Sequence, residues 1–133
     1  MIDIEILKIA SNTENHGILD NHTHSSKLKN SLCGDVMKIY LIVKNNKIEE
    51  FKYECQSCIY CQASVSLLSR KIKNKSVEKV KNFLIGSNNF FDMDKNNFDN
   101  DWLEFNKLIS NKNIARKECL LLPLKTTLKA LNS

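Results

Sequence analysis

Three cysteines and one aspartate, far apart along 133 residues, constrain this chain more than any other feature. Cys33 and Asp35 stand in Leu32-Cys33-Gly34-Asp35, Cys58 in Ser57-Cys58-Ile59-Tyr60-Cys61-Gln62-Ala63-Ser64, and Cys119 in Arg116-Lys117-Glu118-Cys119. Thiolate is the ligand that soft and borderline metals prefer, and three thiolates with one carboxylate fill four positions around zinc or an iron-sulfur core. A fold that serves such a site must bring together segments 25 and 61 residues apart. Oxygen binds a soft centre more weakly than sulfur does, so a site of this composition can hold a metal and also release it.

The hydrophobic pattern shows how the segments converge. Ile2, Ile6 and Ile9 recur at helical spacing, which predicts an amphipathic helix over residues 2 to 11. A polar loop follows, through His16-Gly17 to Asn30. Met37, Ile39, Leu41 and Val43 alternate with Lys38, Tyr40 and Lys44, the period of a half-buried strand. Asn45-Asn46 turns the chain, because Asn tolerates left-handed backbone. The return strand then carries Phe51, Tyr53 and Cys55 on one face and Glu50, Lys52 and Glu54 on the other. Such a hairpin has Cys33 before its first strand and Cys58 after its second, so both reach the same end of the sheet.

From Cys58 to Ile72 the pattern is helical. Ser76 is placed to cap another helix through Leu84, with Gly86 as its terminator. Residues 87 to 98 read as a polar loop, and Trp102, Phe105 and Ile109 as the buried face of a further helix. Asn113 is placed to cap a last helix running to Leu131. The order of elements predicts an α+β fold, with helices packed on one face of a small antiparallel sheet. The length suits one domain over residues 1 to 133.

In their contexts the cysteines resemble the U-type iron-sulfur cluster assembly scaffolds, the IscU/NifU/SufU family. Its members carry Cys-Gly-Asp, then a Cys followed five residues later by Ala-Ser at a helix start, then a third Cys in a C-terminal helix. The resemblance runs from about Ile4 to Leu131. The long second gap, and Arg116 three residues ahead of Cys119, are closest to the SufU branch. IscU proteins instead have a shorter gap, a His before the third Cys, and a Leu-Pro-Pro-Val-Lys motif that this chain lacks. Glu118 stands where SufU usually has Lys.

The resemblance implies an IscU/SufE-like fold with about three strands. It also implies Cys33, Asp35, Cys58 and Cys119 as the metal ligands, with Cys33 and Cys119 as candidate sulfur acceptors. The group held would be a transient [2Fe-2S] cluster built from iron, or Zn2+. The partners would be a cysteine desulfurase of the SufS/IscS type and the acceptor or carrier proteins that receive clusters.

Neighbouring residues fit that reading. A residue without Cβ at Gly34 lets backbone come close to a metal. If Cys58 opens its helix, the partial positive charge there favours the thiolate, the form that binds metal. Four negative ligands around zinc or a [2Fe-2S]2+ core leave a net charge of about minus two. Arg116, one turn before Cys119, is the candidate cation of the surrounding shell, beside Gly34 and Glu118. Cys55 and Cys61 complete a Cys-x2-Cys-x2-Cys run with Cys58, but Val65 occupies the position where a ferredoxin run needs its fourth Cys. Both read as packed thiols.

Composition excludes several other classes. Five cysteines, an odd number, with no secretion signal in view argue for reduced thiols rather than a disulfide framework. The start, Ile2-Asp3-Ile4-Glu5, interrupts its apolar residues with charge and offers neither a signal peptide nor a membrane span, which points to the cytoplasm. The net charge of +5 concentrates in Arg70 to Lys81 without interleaved aromatics, so nucleic acid is not the expected partner. Asp92-Met93-Asp94-Lys95-Asn96-Asn97 begins like a calcium loop but lacks its Gly and its final Glu. The three His, at 16, 22 and 24, match no catalytic signature and stay outside the site.

Overall fold

A computed structural model describes residues 3–31, 34–92 and 98–132, without the side chains of Asn88 and Asp92. Cys33, Ile2 and residues 93–97 of the calcium-like stretch lie outside the described residues. Helix α1 spans Ile4–Ala10, opened by Asp3, whose carboxylate accepts from the Glu5 N–H at 2.8 Å. Its Ile6 and Ile9 are buried, the face that their spacing predicts.

The sheet has three antiparallel strands in the order β1 (His24–Lys29), β2 (Val36–Lys44) and β3 (Lys47–Gln56). Asn45 and Asn46 join β2 to β3 with φ of 55° and 61°, the double left-handed turn that suits the twist of a hairpin. Met37 pairs with Cys55, Ile39 with Tyr53 and Leu41 with Phe51, so these six share one face. The opposite face carries Tyr40, whose hydroxyl donates to Glu54 at 2.6 Å beneath the Lys38 ammonium. The outer edge of β3 is covered by residues 15–17: Tyr53 N–H donates to the Asn15 carbonyl and Gly17 N–H to the Tyr53 carbonyl.

β1 lies inside the segment that reads as a polar loop. Its sequence, HSSKLK, contributes Leu28 as its one large apolar side chain. What holds it is pairing with β2 along its whole length, and Ser26 Oγ donating to the Thr126 carbonyl at 2.5 Å.

Helices α2 (Ile59–Lys71), α3 (Val77–Ile85) and α4 (Lys117–Leu131) complete the fold. α4 packs on β1 and β2, and α2 packs on both α1 and α4, covering the Met37-Ile39-Leu41 face. Ser76 caps α3 by accepting from the Lys79 N–H at 3.1 Å. Gly86 ends α3 at an ordinary helical φ of −73°, and the chain continues as a 3-10 helix over Gly86–Asp92. Phe90 and Phe91 are buried there, where the polar residues around them suggest a loop.

Trp102, Phe105 and Ile109 are buried, but the helical element there is only a short 3-10 helix, Leu103–Lys107, which holds Phe105, with Trp102 as its N-cap residue and Ile109 just past its end. The Trp102 ring stacks on Phe83 with centroids 4.1 Å apart, so aromatic packing takes the place of helical length. Asn113 does not cap α4. It sits within a 3-10 helix, Asn111–Arg116, and its side-chain amide donates to the Leu108 carbonyl at 2.7 Å. Four of the six basic residues of 70–81 meet charged or aromatic partners among the described residues: Lys71 pairs with Glu104, Lys73 with Glu50 and Lys79 with Asp101, while Lys75 lies over the Trp102 ring. Among the described residues no helix is long and apolar enough to cross a membrane.

Candidate metal centre

Each described ligand candidate is delivered by a different element. Asp35 precedes β2 in a tight turn: Gly34 N–H donates to the Asn30 carbonyl, and Asn30 N–H donates to the Asp35 carbonyl, both at 2.7 Å. Gly34 has φ of +78°, which explains the glycine. A Cβ there would meet nothing within 4 Å, so conformation rather than close approach requires it among the described residues.

Cys58 is the N-cap residue of α2, extended at φ −70° and ψ 167°, and its side chain makes no capping hydrogen bond. Its sulfur is therefore not committed to the amides of its own helix. Cys119 comes from the first turn of α4 and is buried.

These segments meet. One carboxylate oxygen of Asp35, Sγ of Cys58 and Sγ of Cys119 all lie within 4.8 Å of one another. Sulfurs on a tetrahedral zinc stand about 3.8 Å apart, so separations of up to 4.8 Å would need to close by no more than ~1 Å. Asp35 is 7% exposed, and its Oδ2 is buried with no hydrogen-bond partner among the described residues. An unpaired buried carboxylate oxygen costs stability unless a cation or donor satisfies it. Beside two thiols, a metal is the group that fits. The fourth candidate, Cys33, lies outside the described residues, two positions before Asp35.

The other cysteines differ from these in setting. Cys61 is 0% exposed, and burial pushes its thiol well above the usual cysteine range, with the charges of Asp35, Cys55 and Cys58 adding to the effect. Cys55 is half-buried, and burial raises it too, against the opposing effect of Ser57. It lines a groove of about 420 Å³ with Ala10, Thr13, His16, Tyr53 and Gln62.

Arg116 is the N-cap residue of α4 rather than part of its first turn, because residues 111–116 form a 3-10 helix. It is exposed, and its guanidinium carbon lies 5.2 Å above the ring of Tyr60, the second residue of α2. Its charge thus sits between the starts of the two cysteine-bearing helices. Glu118 is exposed and its carboxylate meets the Lys125 ammonium at 3.4 Å. A buried contact that the sequence does not announce is Ser64 Oγ, which donates to the Leu120 carbonyl at 2.7 Å. The signal for it is the Ala-Ser following Cys58, whose Ser falls on the inward side of α2.

Comparison with known proteins gives the family. The NifU-like N-terminal domain matches residues 3–90, a span that includes Asp35 and Cys58 and stops before Cys119. The iron-sulfur cluster assembly scaffold protein IscU of Thermotoga maritima is 33% identical over 128 residues, covering 95% of this chain and 89% of that protein. The zinc-dependent sulfurtransferase SufU of Bacillus subtilis is 30% identical over 67 residues, 50% of this chain and 45% of that one. A crystal structure described as an iron-sulfur cluster assembly scaffold protein for the SUF system, from Fervidobacterium islandicum AW-1, superposes with a TM-score of 0.88 at 26% identity. It covers 98% of this chain and 96% of that one. With a family match over most of its length and a relative one-third identical across nearly all of it, the chain belongs to the NifU-like N-terminal domain family, the family of IscU and SufU.

Proposed function

We propose that this chain is an iron-sulfur cluster assembly scaffold of the IscU/SufU type whose cargo is a [2Fe-2S] cluster held by Cys33, Asp35, Cys58 and Cys119. The observation that carries the assignment is the meeting of Asp35, Cys58 and Cys119 within 4.8 Å around a buried, unpartnered carboxylate oxygen. The whole of residues 1–133 would act as one domain. A cysteine desulfurase of the SufS/IscS type supplies sulfane sulfur, with Cys33 and Cys119 as candidate acceptors. Iron comes from a separate donor, and the finished cluster passes to an acceptor or carrier protein in the cytoplasm. Arg116 is the cation nearest in role to the negative site, placed between the starts of α2 and α4 by its contact with Tyr60.

A second reading is favoured by the likeness to the zinc-dependent sulfurtransferase SufU, by the long gap before Cys119 and by Arg116. In it the same four residues hold Zn2+, and docking on the desulfurase frees one thiolate to take the persulfide sulfur. A purely structural zinc module fits less well, because Ile39, Phe51, Leu67 and Phe105 are fully buried apolar side chains of a core that stabilises the fold without any metal.

Anaerobic incubation with a desulfurase, free cysteine and ferrous iron, read by absorption and Mössbauer spectra, tests the choice. A [2Fe-2S] spectrum is the expected result. Retained zinc with no cluster, together with faster desulfurase turnover, would overturn the scaffold reading in favour of sulfur transfer.

A further inference from the structure

The four-ligand site makes no use of Cys61, yet this thiol lies in the first turn of α2, three positions after the ligand Cys58. Cys58 is the N-cap of α2 and Cys61 is the third helical residue. Side chains at these two positions face each other across the first turn, the relationship that lets the two halves of a capping box bond reciprocally. Here both are thiols, and neither Cys58 nor Cys61 is in a disulfide. Cys58 is half-buried and Cys61 is fully buried, so a reagent entering the site meets Cys58 first. Cβ atoms three apart on a helix stand roughly 5–6 Å from each other. A disulfide needs ~3.5–4.5 Å. The gap of ~1–2 Å is small for a first turn whose cap side chain is not bonded to helix amides.

The chemistry of cluster assembly gives the pair a task. Sulfane sulfur arrives at the zero-valent level, whereas the bridging sulfur of a cluster is sulfide, so each sulfur needs two electrons. We infer that Cys58 and Cys61 act as a dithiol that reduces sulfane sulfur handed to the Cys58 thiol by the acceptor Cys119, whose sulfur lies within 4.8 Å and returns to the thiol, and releases it as sulfide, an activity that rests on the scaffold reading and extends it. The Cys61 sulfur attacks the Cys58 sulfur of a Cys58 persulfide as its proton passes to the departing outer sulfur, so that no free thiolate forms in the buried position. The bond between Cys58 and the outer sulfur breaks as the Cys58–Cys61 bond forms. The outer sulfur leaves with the electron pair, as hydrosulfide, and takes up the proton from Cys61 as hydrogen sulfide. The two cysteine sulfurs are oxidised to a disulfide, and a dithiol reductant returns them to thiols with two electrons and two protons. While the disulfide stands, Cys58 is lost to the metal, so sulfide release and ligation alternate on one sulfur.

The test uses the full chain, reduced, chelator-treated and oxygen-free, loaded with limiting inorganic polysulfide and then desalted. Intact mass and alkylated-peptide mapping are read for the wild type, Cys61→Ala and Cys61→Ser, with thermal melts to confirm that the variants fold. The wild type is expected to lose two hydrogens, with the disulfide mapped to Cys58 and Cys61. The variants are expected to keep one extra sulfur on Cys58, about ten-fold more than the wild type retains. A wild type that keeps persulfide on Cys58, or maps its disulfide to Cys55 or Cys119, would overturn the dithiol role and leave the scaffold reading standing. Absence of sulfur from Cys58 in every form also overturns it; sulfur found on Cys33 or Cys119 would then leave the scaffold reading standing, and sulfur on none of the three would count against that reading. Because the mapping is made on the wild type, the test holds even if a variant misfolds.

Discussion

The hydroxyl of Ser64 in α2 donates to the main-chain carbonyl of Leu120 in α4 at 2.7 Å, with both residues buried. Ser64 lies six positions after Cys58 and Leu120 one after Cys119, so this bond ties together the two helices that deliver the described sulfur ligands. Ser64→Ala is expected to cost about 0.5–1.5 kcal/mol of stability. It should also weaken zinc binding, because the register between the two thiols loosens. Urea melts and chelator competition on the same preparation check both effects. Lower stability with unchanged affinity would confine the bond to helix packing.

Gly34 is held at φ +78° with open space where a Cβ would stand. Gly34→Ala should therefore cost about 1–2 kcal/mol, and Gly34→Asn less, since Asn enters left-handed backbone more readily. Metal content should follow the same order. Equal loss of metal in both variants would show that the site needs room at Gly34 rather than its conformation.

Asp35 carries a buried oxygen with no hydrogen-bond partner among the described residues, so the metal-free protein bears a cost that Asp35→Ala removes. The metal-free variant is expected to be more stable, by up to about 1–3 kcal/mol. Once loaded it should hold its cluster longer, having lost the weak oxygen ligand that eases exchange. Thermal melts and timed transfer to an apo-ferredoxin measure the two effects. A less stable apo-protein with unchanged transfer would assign Asp35 to the turn.

The guanidinium of Arg116 over Tyr60 joins the start of α4 to that of α2. Arg116→Gln should reduce zinc affinity by a few-fold, in line with about 0.5–1 kcal/mol for an exposed cation–π contact. If its charge acts on the site as well, the loss shrinks as salt is raised, because exposed charges are screened. A loss independent of ionic strength would leave Arg116 as support for Tyr60 alone.

Much of this architecture is legible in the chain because it rests on local signals. The alternation of Met37, Ile39 and Leu41, the Asn45-Asn46 turn and the Ser76 cap each act through neighbours in sequence, and each stands as read. β1 was hidden because HSSKLK draws its order from pairing with β2 and from Thr126, a hundred residues away. Trp102, Phe105 and Ile109 are buried at helical spacing, but stacking on Phe83 and a short 3-10 helix achieve that burial. Asn113 shows the limit of capping signals, since its amide is engaged by Leu108 instead. In the site, the choice of Cys58 and Cys119 over Cys55 and Cys61 came from sequence context. The distance between the chosen atoms, and the isolation of Asp35 Oδ2, required the fold.

The central claim is that Cys33, Cys58 and Cys119, with Asp35, make one metal site and that Cys55 and Cys61 lie outside the ligand set. Metal bound per chain, measured by elemental analysis after anaerobic loading of the five single Cys→Ser variants, tests it most directly. The account predicts that the Cys33, Cys58 and Cys119 variants lose stable binding while the Cys55 and Cys61 variants stay near the wild-type content. Full metal in the Cys119 variant beside loss in the Cys55 variant would contradict it.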